Sequence, residues 1–274
     1  MSAAATPLPS PTRQGGKVTQ SRVALSEWTK LRSLRSTRYS LLAAVAMTIG
    51  FAALACAVVA NHYSHMDAHE RANFNPLEVN LIGVQIAQLA IGVLGVLIIT
   101  GEYTTGMIRA SMIAVPKRLP VLWAKTSVYA LVLLALMIPS TLAAFFIGQS
   151  ILARHHIQIA LSHPGVLRAV IGAALYLTVI GLFALGIGAI VRNTAGGIAT
   201  FAGVMFVLPP LLNVLPTSWN DAISPYMPGN AGGQIMSITH SARTFSPWTG
   251  FALFCGYAAA TLAVAAFLLV RRDT

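Results

Sequence analysis

Residues 169–191 read AVIGAALYLTVIGLFALGIGAIV. The stretch carries no charged side chain, and its length suits the roughly 20 helical residues that cross a bilayer core about 30 Å thick. A charge placed at the centre of such a helix would cost about 2.5–3.5 kcal/mol on insertion. The stretch is therefore predicted to be a transmembrane helix.

Five further stretches meet the same test of length and freedom from charge. With the first, the predicted spans are residues 39–60, 81–100, 126–147, 169–191, 196–215 and 248–270. The whole chain of 274 residues is 56% hydrophobic and only 9% charged, whereas soluble domains carry about 25% charged residues. The sequence therefore predicts an all-α polytopic membrane protein with six spans and excludes a soluble domain.

Basic residues set the orientation of these spans. Most of the 18 basic residues fall on one side of the predicted membrane: Arg13, Lys17, Arg22, Lys30, Arg32, Arg35, Arg38, Arg109, Lys117, Arg118, Lys125, Arg192, Arg271 and Arg272. The other side keeps Arg71, Arg154, Arg168 and Arg243. Because cytoplasmic segments carry the basic excess, both termini are predicted to be cytoplasmic. The net charge of +11 is then explained by the orientation of the spans and by contact with anionic lipid, and not by nucleic-acid binding.

The segment before the first span reads SRVALSEWTKLRSLRSTR, residues 21–38. Apolar residues recur at helical spacing, and cations fill the other positions. This pattern predicts an amphipathic interfacial helix with Trp28 at headgroup depth and with Arg22, Lys30, Arg32 and Arg35 toward anionic lipid. The alternative is a basic flank that only sets topology. Residues 1–20 are predicted to be a disordered cytoplasmic tail before a six-helix transmembrane domain of residues 21–274.

The loop between spans two and three reads GEYTTGMIRASMIAVPKRLPVLWAK, residues 101–125. It is long enough for a short cytoplasmic helix before Pro116. Glu102 lies near its start, where a carboxylate suits the positive end of a helix. Met107, Ile108, Met112 and Ile113 would give that helix an apolar edge for docking onto a protein.

EWTKLRSLRST, the middle loop and SPYMPGNAGG near the C-terminus resemble ATP-binding-cassette (ABC) transporter permeases of the type-2 exporter class. The resemblance covers the chain from about Ser21 onward, and the middle loop is its most specific part. It implies a prokaryotic cytoplasmic-membrane location, a permease dimer of twelve helices, and an outer re-entrant region at residues 216–247. It also implies that residues 102–114 of the middle loop form a coupling helix, which docks on an ATPase subunit through Glu102, Tyr103, Thr104, Gly106, Met107, Ile108, Arg109 and Met112. Charge reversal at Glu102 is then expected to uncouple transport without preventing insertion.

The sequence contains no phosphate-binding loop of the form G-x-x-x-x-G-K-[ST], so ATP and magnesium are expected in a separate ATPase chain. No enzymatic role is predicted for this chain, because no span offers a nucleophile with a base or a set of metal ligands. The alternative is an ion-coupled secondary transporter or another polytopic membrane protein without an ATPase partner. Ion-coupled transporters place ionisable residues inside the membrane, and the six predicted spans contain none.

Several polar or unusual residues have two interpretations each. Gln85 and Gln88 either line a transport path or bond a neighbouring helix. His62, His65 and His69 would share one helical face, as metal ligands require, or lie in a solvated loop. Pro139, Pro209 and Pro210 are expected to kink or end their helices, and such kinks would be either hinges or static bends. The spacings Ala184-x-x-x-Gly188 and Ala199-x-x-x-Gly203 permit close helix contact.

Overall fold

A computed structural model of the chain describes residues 20–104, 118–239 and 244–271. These residues form helices and turns without any strand. In chain order the α-helices are α1 (Gln20–Ser33), α2 (Arg35–His62), α3 (Ala68–Ala72), α4 (Pro76–Asn80), α5 (Ile82–Thr104), α6 (Arg118–Ala153), α7 (Val166–Val191), α8 (Thr194–Ala202), α9 (Leu208–Leu212), α10 (Thr217–Ile223), α11 (Pro228–Gly233) and α12 (Pro247–Arg271).

Six helical segments are long and apolar enough to cross a membrane, which confirms the predicted number of spans. They are Arg35–His65, Pro76–Tyr103, Leu119–Ala153, Val166–Val191, Thr194–Leu212 and Pro247–Arg271. The chain is thus an all-α, multi-pass membrane protein. The helix of the third span, α6, begins at Arg118, well before the predicted residue 126. The fifth span ends at Leu212, before the predicted residue 215. We call the end of the bundle that holds α1 the inner end, following the orientation that the charge distribution predicts.

Helix α7 is the centre of the bundle and packs against α5, α6 and α12. Most of its residues are buried, whereas less than a quarter of the residues are buried in the most apolar part of the first, fifth and sixth spans. The outward faces of those spans are apolar. This distribution suits a bundle whose perimeter faces lipid and whose helices associate by close packing.

Glycines bring α5 and α7 into close contact. A Cβ atom built on Gly95 would lie 2.5 Å from the carbonyl oxygen of Gly181, and one on Gly188 would lie 3.1 Å from the Cα of Val96. The predicted role of the spacing from Ala184 to Gly188 is therefore confirmed. Gly203 has no described atom within 4 Å of such a position, so the second spacing makes no comparable contact.

Prolines shape the fifth span as expected. Pro209 and Pro210 follow a π-helical turn at Gly203–Val207, in which the Leu208 N–H donates to the carbonyl oxygen of Gly203. Proline lacks an N–H and crowds the preceding turn, so the backbone ahead of it widens. The span then ends at Leu212. Pro139, by contrast, lies inside a continuous α6.

The chain after the fifth span folds back against the outer end of the bundle. Ala231, Ile235 and Met236 are buried there. A Cβ atom on Gly172 of α7 would lie 3.0 Å from the carbonyl oxygen of Ile235. Helix α11 packs along α12, so this part of the predicted re-entrant region occupies the outer ends of α7 and α12.

Candidate functional site

Four charged residues from three helices meet at the inner end, and we call them the ionic cluster: Glu27 and Lys30 of α1, Glu102 of α5 and Lys125 of α6. Lys125 Nζ lies 2.6 Å from Glu27 Oε2 and 2.8 Å from Glu102 Oε1. Lys30 Nζ lies 2.8 Å from Glu27 Oε1 and 3.2 Å from Glu102 Oε1. Each lysine thus bridges both carboxylates.

The local sequence explains how these groups converge. Glu27 and Lys30 are three residues apart in α1 and so share one face of that helix. Glu102 lies in the last turn of α5. Lys125 lies two turns inside α6, where Leu122 and Val128 of the same helix are buried. The two flanks of residues 105–117 are therefore joined to each other and to α1.

The ionic cluster is largely shielded from solvent. Glu27 is 3% exposed and Lys125 is 5% exposed, while the Lys30 side chain retains 27%. Two cations and two anions leave the cluster neutral, which is the condition under which buried charges are tolerated. Removal of any one member would leave a buried charge without compensation.

The pKa values of the α1 residues reflect this pairing. Burial alone would raise the pKa of Glu27, but Lys125 and Lys30 outweigh burial and hold it below its ordinary value. Burial alone would lower the pKa of Lys30, but Glu27 and Glu102 outweigh burial and hold it above its ordinary value. Both groups are therefore ionised across the neutral pH range.

A second set of contacts fastens the end of α5 to the other side of the bundle. The Arg192 guanidinium lies 5.3 Å from the centre of the Tyr103 ring and donates to the carbonyl oxygen of Leu268 at 3.2 Å. Thr194 Oγ1 donates to Thr100 Oγ1 at 3.0 Å. The last turn of α5 is thus held by α6 on one side and by α7, α8 and α12 on the other.

The predicted coupling residues divide into two groups. Glu102, Tyr103 and Thr104 form the last residues of α5, and the first two point their side chains into the contacts described above. Gly106, Met107, Ile108, Arg109 and Met112 lie outside the described residues. Contact with an ATPase stays a prediction, and the structure adds an internal role for Glu102.

Sequence reasoning missed Glu27 and Lys125. Lys125 was placed in the loop just before a span, because a charge marks the end of an apolar run. A signal was nevertheless present: Glu27 and Glu102 are two of only seven acidic residues in the chain, and both occur in segments dominated by cations. Isolated acids in a basic segment are candidates for internal ion pairs.

A helix forms where the interfacial helix is predicted, but it is shorter than expected. Helix α1 ends at Ser33, because Leu34 adopts extended backbone angles, and Arg35 begins α2 instead. Leu25 and Trp28 are 65% and 46% exposed, which suits the headgroup region. Lys30 turns toward the ionic cluster and not toward lipid, while Arg32 is exposed and the Arg22 side chain lies outside the described residues.

Gln85 and Gln88 belong to a neutral chain of hydrogen bonds, which we call the outer relay. Tyr176 of α7 donates to Gln88 Oε1 at 2.8 Å, and Gln88 Nε2 donates to Gln85 Oε1 at 3.0 Å. Gln88 therefore bonds a neighbouring helix. Gln85 lies at the edge of a cleft of about 390 Å³. The cleft is lined by Asn220 and Asp221 of α10, by Asn230 of α11 and by Gln234, which follows α11.

The three histidines do not share a helical face. Helix α2 ends at His62, Tyr63–His65 form a single 3-10 turn, and Met66 is extended before α3 begins. Asp67 caps α3, which contains His69, by accepting from the Glu70 N–H at 2.8 Å. The one-face interpretation therefore does not hold, and the described residues contain no group of three ligands placed to hold a metal.

Comparison with models of known protein families gives no match, and comparison with curated proteins gives none either. The function of this chain must therefore be inferred from its own residues. Those residues form a buried ionic cluster at the inner end and a neutral relay at the outer end of one bundle.

Proposed function

We propose that this chain is the membrane-spanning permease subunit of an ATP-driven ABC exporter. It moves a hydrophobic or amphipathic substrate, such as a drug, a peptide antibiotic or a lipid, outward by alternating access. The observation that supports this function is the ionic cluster. It connects both flanks of residues 105–117, the part of the predicted coupling loop (residues 101–125) that lies outside the described residues, to helix α1.

The mechanical consequence follows from this connection. A force applied to residues 105–117 by a partner reaches α5 through Glu102 and α6 through Lys125. Because these side chains also hold Glu27, the α1 helix moves with them. Packed helices respond to such a displacement as rigid elements, so the motion passes along α5 and α6 toward the outer end.

The partner in this proposal is a separate ATPase chain that binds ATP and magnesium, since this sequence contains no phosphate-binding loop. Two permease chains form the transport path at their interface, in the cytoplasmic membrane of a prokaryote. The exposed apolar faces of the first, fifth and sixth spans provide surface for that interface and for lipid.

Co-purification tests the proposal. The full-length chain is extracted from its native membrane in mild detergent, and the eluate is assayed for magnesium-dependent ATP hydrolysis and for a second chain with a phosphate-binding loop. A cysteine introduced by Met107→Cys is expected to cross-link to that chain. A control cysteine introduced by Ser64→Cys, at the opposite end of the first span, is expected not to. Purification without any ATPase, under conditions that keep the bundle folded, would contradict the proposal.

An ion-coupled secondary transporter is the alternative function. Such a mechanism needs buried ionisable side chains to bind the coupling ion, and Glu27 and Lys125 would be those side chains. This alternative predicts substrate movement in sealed vesicles driven by a proton or sodium gradient in the absence of nucleotide. The exporter predicts no movement until the ATPase and ATP are added.

A further inference from the structure

A cavity of about 350 Å³ lies beside the ionic cluster, between α1, α2, α5 and α6. Its volume is at the lower end of the range for small-molecule sites, which run from about 300 to 1,000 Å³. The cavity therefore has room for one slender ligand or a single hydrocarbon chain.

The lining of the cavity changes along the bundle axis. Lys30, Glu102 and Lys125 lie at one end, and Leu94, Leu97 and Ile98 line the wall formed by α5. Helix rise places Leu94 about 12 Å from Glu102, in the direction of the membrane middle. Charge thus lies at the level of α1, and apolar surface lies deeper. A phospholipid in the inner leaflet likewise has its charged headgroup at the membrane surface and its apolar chains deeper in the membrane.

Two polar groups that face the cavity have capacity for a further hydrogen bond. Thr37 is 4% exposed and lines the cavity, yet its hydroxyl makes no hydrogen bond within the described part of the chain. The Lys30 ammonium carries three hydrogens. Glu27 and Glu102 accept two of them, and the described residues provide no acceptor for the third.

The charge around the cavity favours an anionic ligand. The ionic cluster itself is neutral, and Arg32 and Arg35 are exposed next to Ser33, Leu34 and Ser36, which line the cavity. Basic side chains at the inner membrane surface attract anionic headgroups.

We propose that this cavity binds one anionic phospholipid from the inner leaflet. Its phosphate accepts a hydrogen bond from Lys30, an ester oxygen accepts one from Thr37, and an acyl chain lies along Leu94, Leu97 and Ile98. The lipid then joins α1 to α2 and α5. This binding requires the membrane location of the chain but no transport activity.

Lipid retention by the purified full-length chain tests the proposal. The protein is washed in detergent and offered phosphatidylglycerol or phosphatidylcholine, and the lipid that remains per chain is measured by mass spectrometry. We expect phosphatidylglycerol to be retained at about one per chain and phosphatidylcholine to bind at least about tenfold more weakly. Equal retention of the two lipids, or retention of neither, would overturn the proposal.

Two matched variants locate the site. Ser40→Phe fills the cavity from the α2 wall and is expected to weaken phosphatidylglycerol binding at least about tenfold. Ser127→Phe makes the same change at an exposed position of α6, where the serine only bonds its own helix, and is expected to retain lipid like the native chain. If Ser40→Phe fails to fold, Leu97→Phe fills the cavity from the α5 wall instead. Unchanged retention in a folded cavity-filling variant would exclude this site.

Discussion

The two ends of the bundle are held together by different chemistry. At the inner end, α1, α5 and α6 meet through four formal charges, whereas at the outer end α5 and α7 meet through amide and hydroxyl groups. Charges are tolerated at the inner end because it lies near headgroups and because cations and anions balance. Tyr176 and Gln88 lie deeper in the bundle, where uncharged donors and acceptors carry a smaller desolvation cost.

This difference predicts different responses to mutation. Removing one charge from a neutral buried cluster leaves a charge behind, whereas removing one hydroxyl from the outer relay leaves only an unused acceptor. The inner end should therefore be sensitive to single substitutions and the outer end tolerant of them. Under the proposed function the two ends also act differently: the inner end receives the force from the ATPase, and the outer relay moves in response.

The largest effect is expected for Lys125→Met. The variant leaves Glu27 and Glu102 with only Lys30, and losing one partner of a buried pair costs about 3–5 kcal/mol of the free energy of unfolding. The free energy is measured by denaturant titration in detergent micelles. The double variant Glu27→Gln with Lys125→Met restores neutrality and should be more stable than Lys125→Met alone. A double variant at least as destabilised as the single one would show that charge balance is not the cause.

A smaller effect is expected at the contact between α5 and α7, which lies between the two ends. Gly95→Val forces a side chain against the Gly181 carbonyl and should lower the free energy of unfolding by about 1–3 kcal/mol. Gly203→Val is the control, since no described atom lies within 4 Å of the new Cβ. Equal destabilisation by both variants would indicate that helix propensity and not packing is responsible.

Acid should weaken the inner end selectively. Because the pKa of Glu27 is lowered in the folded chain, its contribution is present above the ordinary pKa of about 4.3 and is lost as the pH falls through the folded value. The raised pKa of Lys30 keeps its contribution in place up to alkaline pH. Between pH 8 and pH 3 the free energy of unfolding should therefore fall more steeply for the native chain than for Glu27→Gln. Parallel pH profiles would contradict the ionic assignment of Glu27.

The smallest effect is expected for Tyr176→Phe at the outer end. The variant removes the hydrogen bond to Gln88, which is worth about 0.6 kcal/mol inside a membrane bundle. Tyr129→Phe is the matched control, because its hydroxyl bonds the Ile91 carbonyl oxygen at 3.1 Å and takes no part in the outer relay. A loss above about 3 kcal/mol for Tyr176→Phe alone would remove the contrast between the two ends.

The spans could be predicted from the sequence because their signal is local. Each is a long uncharged run, and the bilayer imposes that requirement on every residue in it. The ionic cluster could not be predicted in the same way. Lys125 bonds Glu27, which lies 98 residues earlier in the chain, and no periodicity within either segment indicates the pairing.

Boundaries at the inner end were misplaced for a related reason. The charge of Lys125 predicts that the third span starts after this residue. Buried carboxylates compensate that charge, so that the helix of this span, α6, begins at Arg118. Of the two interpretations of the histidines, the one-face arrangement does not hold because Asp67 caps and so starts a new helix before His69. In both cases a specific side-chain partner overrode the local pattern.

The most direct measurement of the central claim follows the outer end while nucleotide acts at the inner end. In a chain with Cys255→Ser, the variant Ser224→Cys places a thiol at the outer cleft, and an impermeant maleimide reports its exposure in the complex with the ATPase. We expect ATP to change the labelling rate several-fold when Glu102 is present. We expect Glu102→Gln to abolish that change while the ATPase remains bound. A Glu102→Gln complex that responds to ATP like the native one would contradict transmission through the ionic cluster.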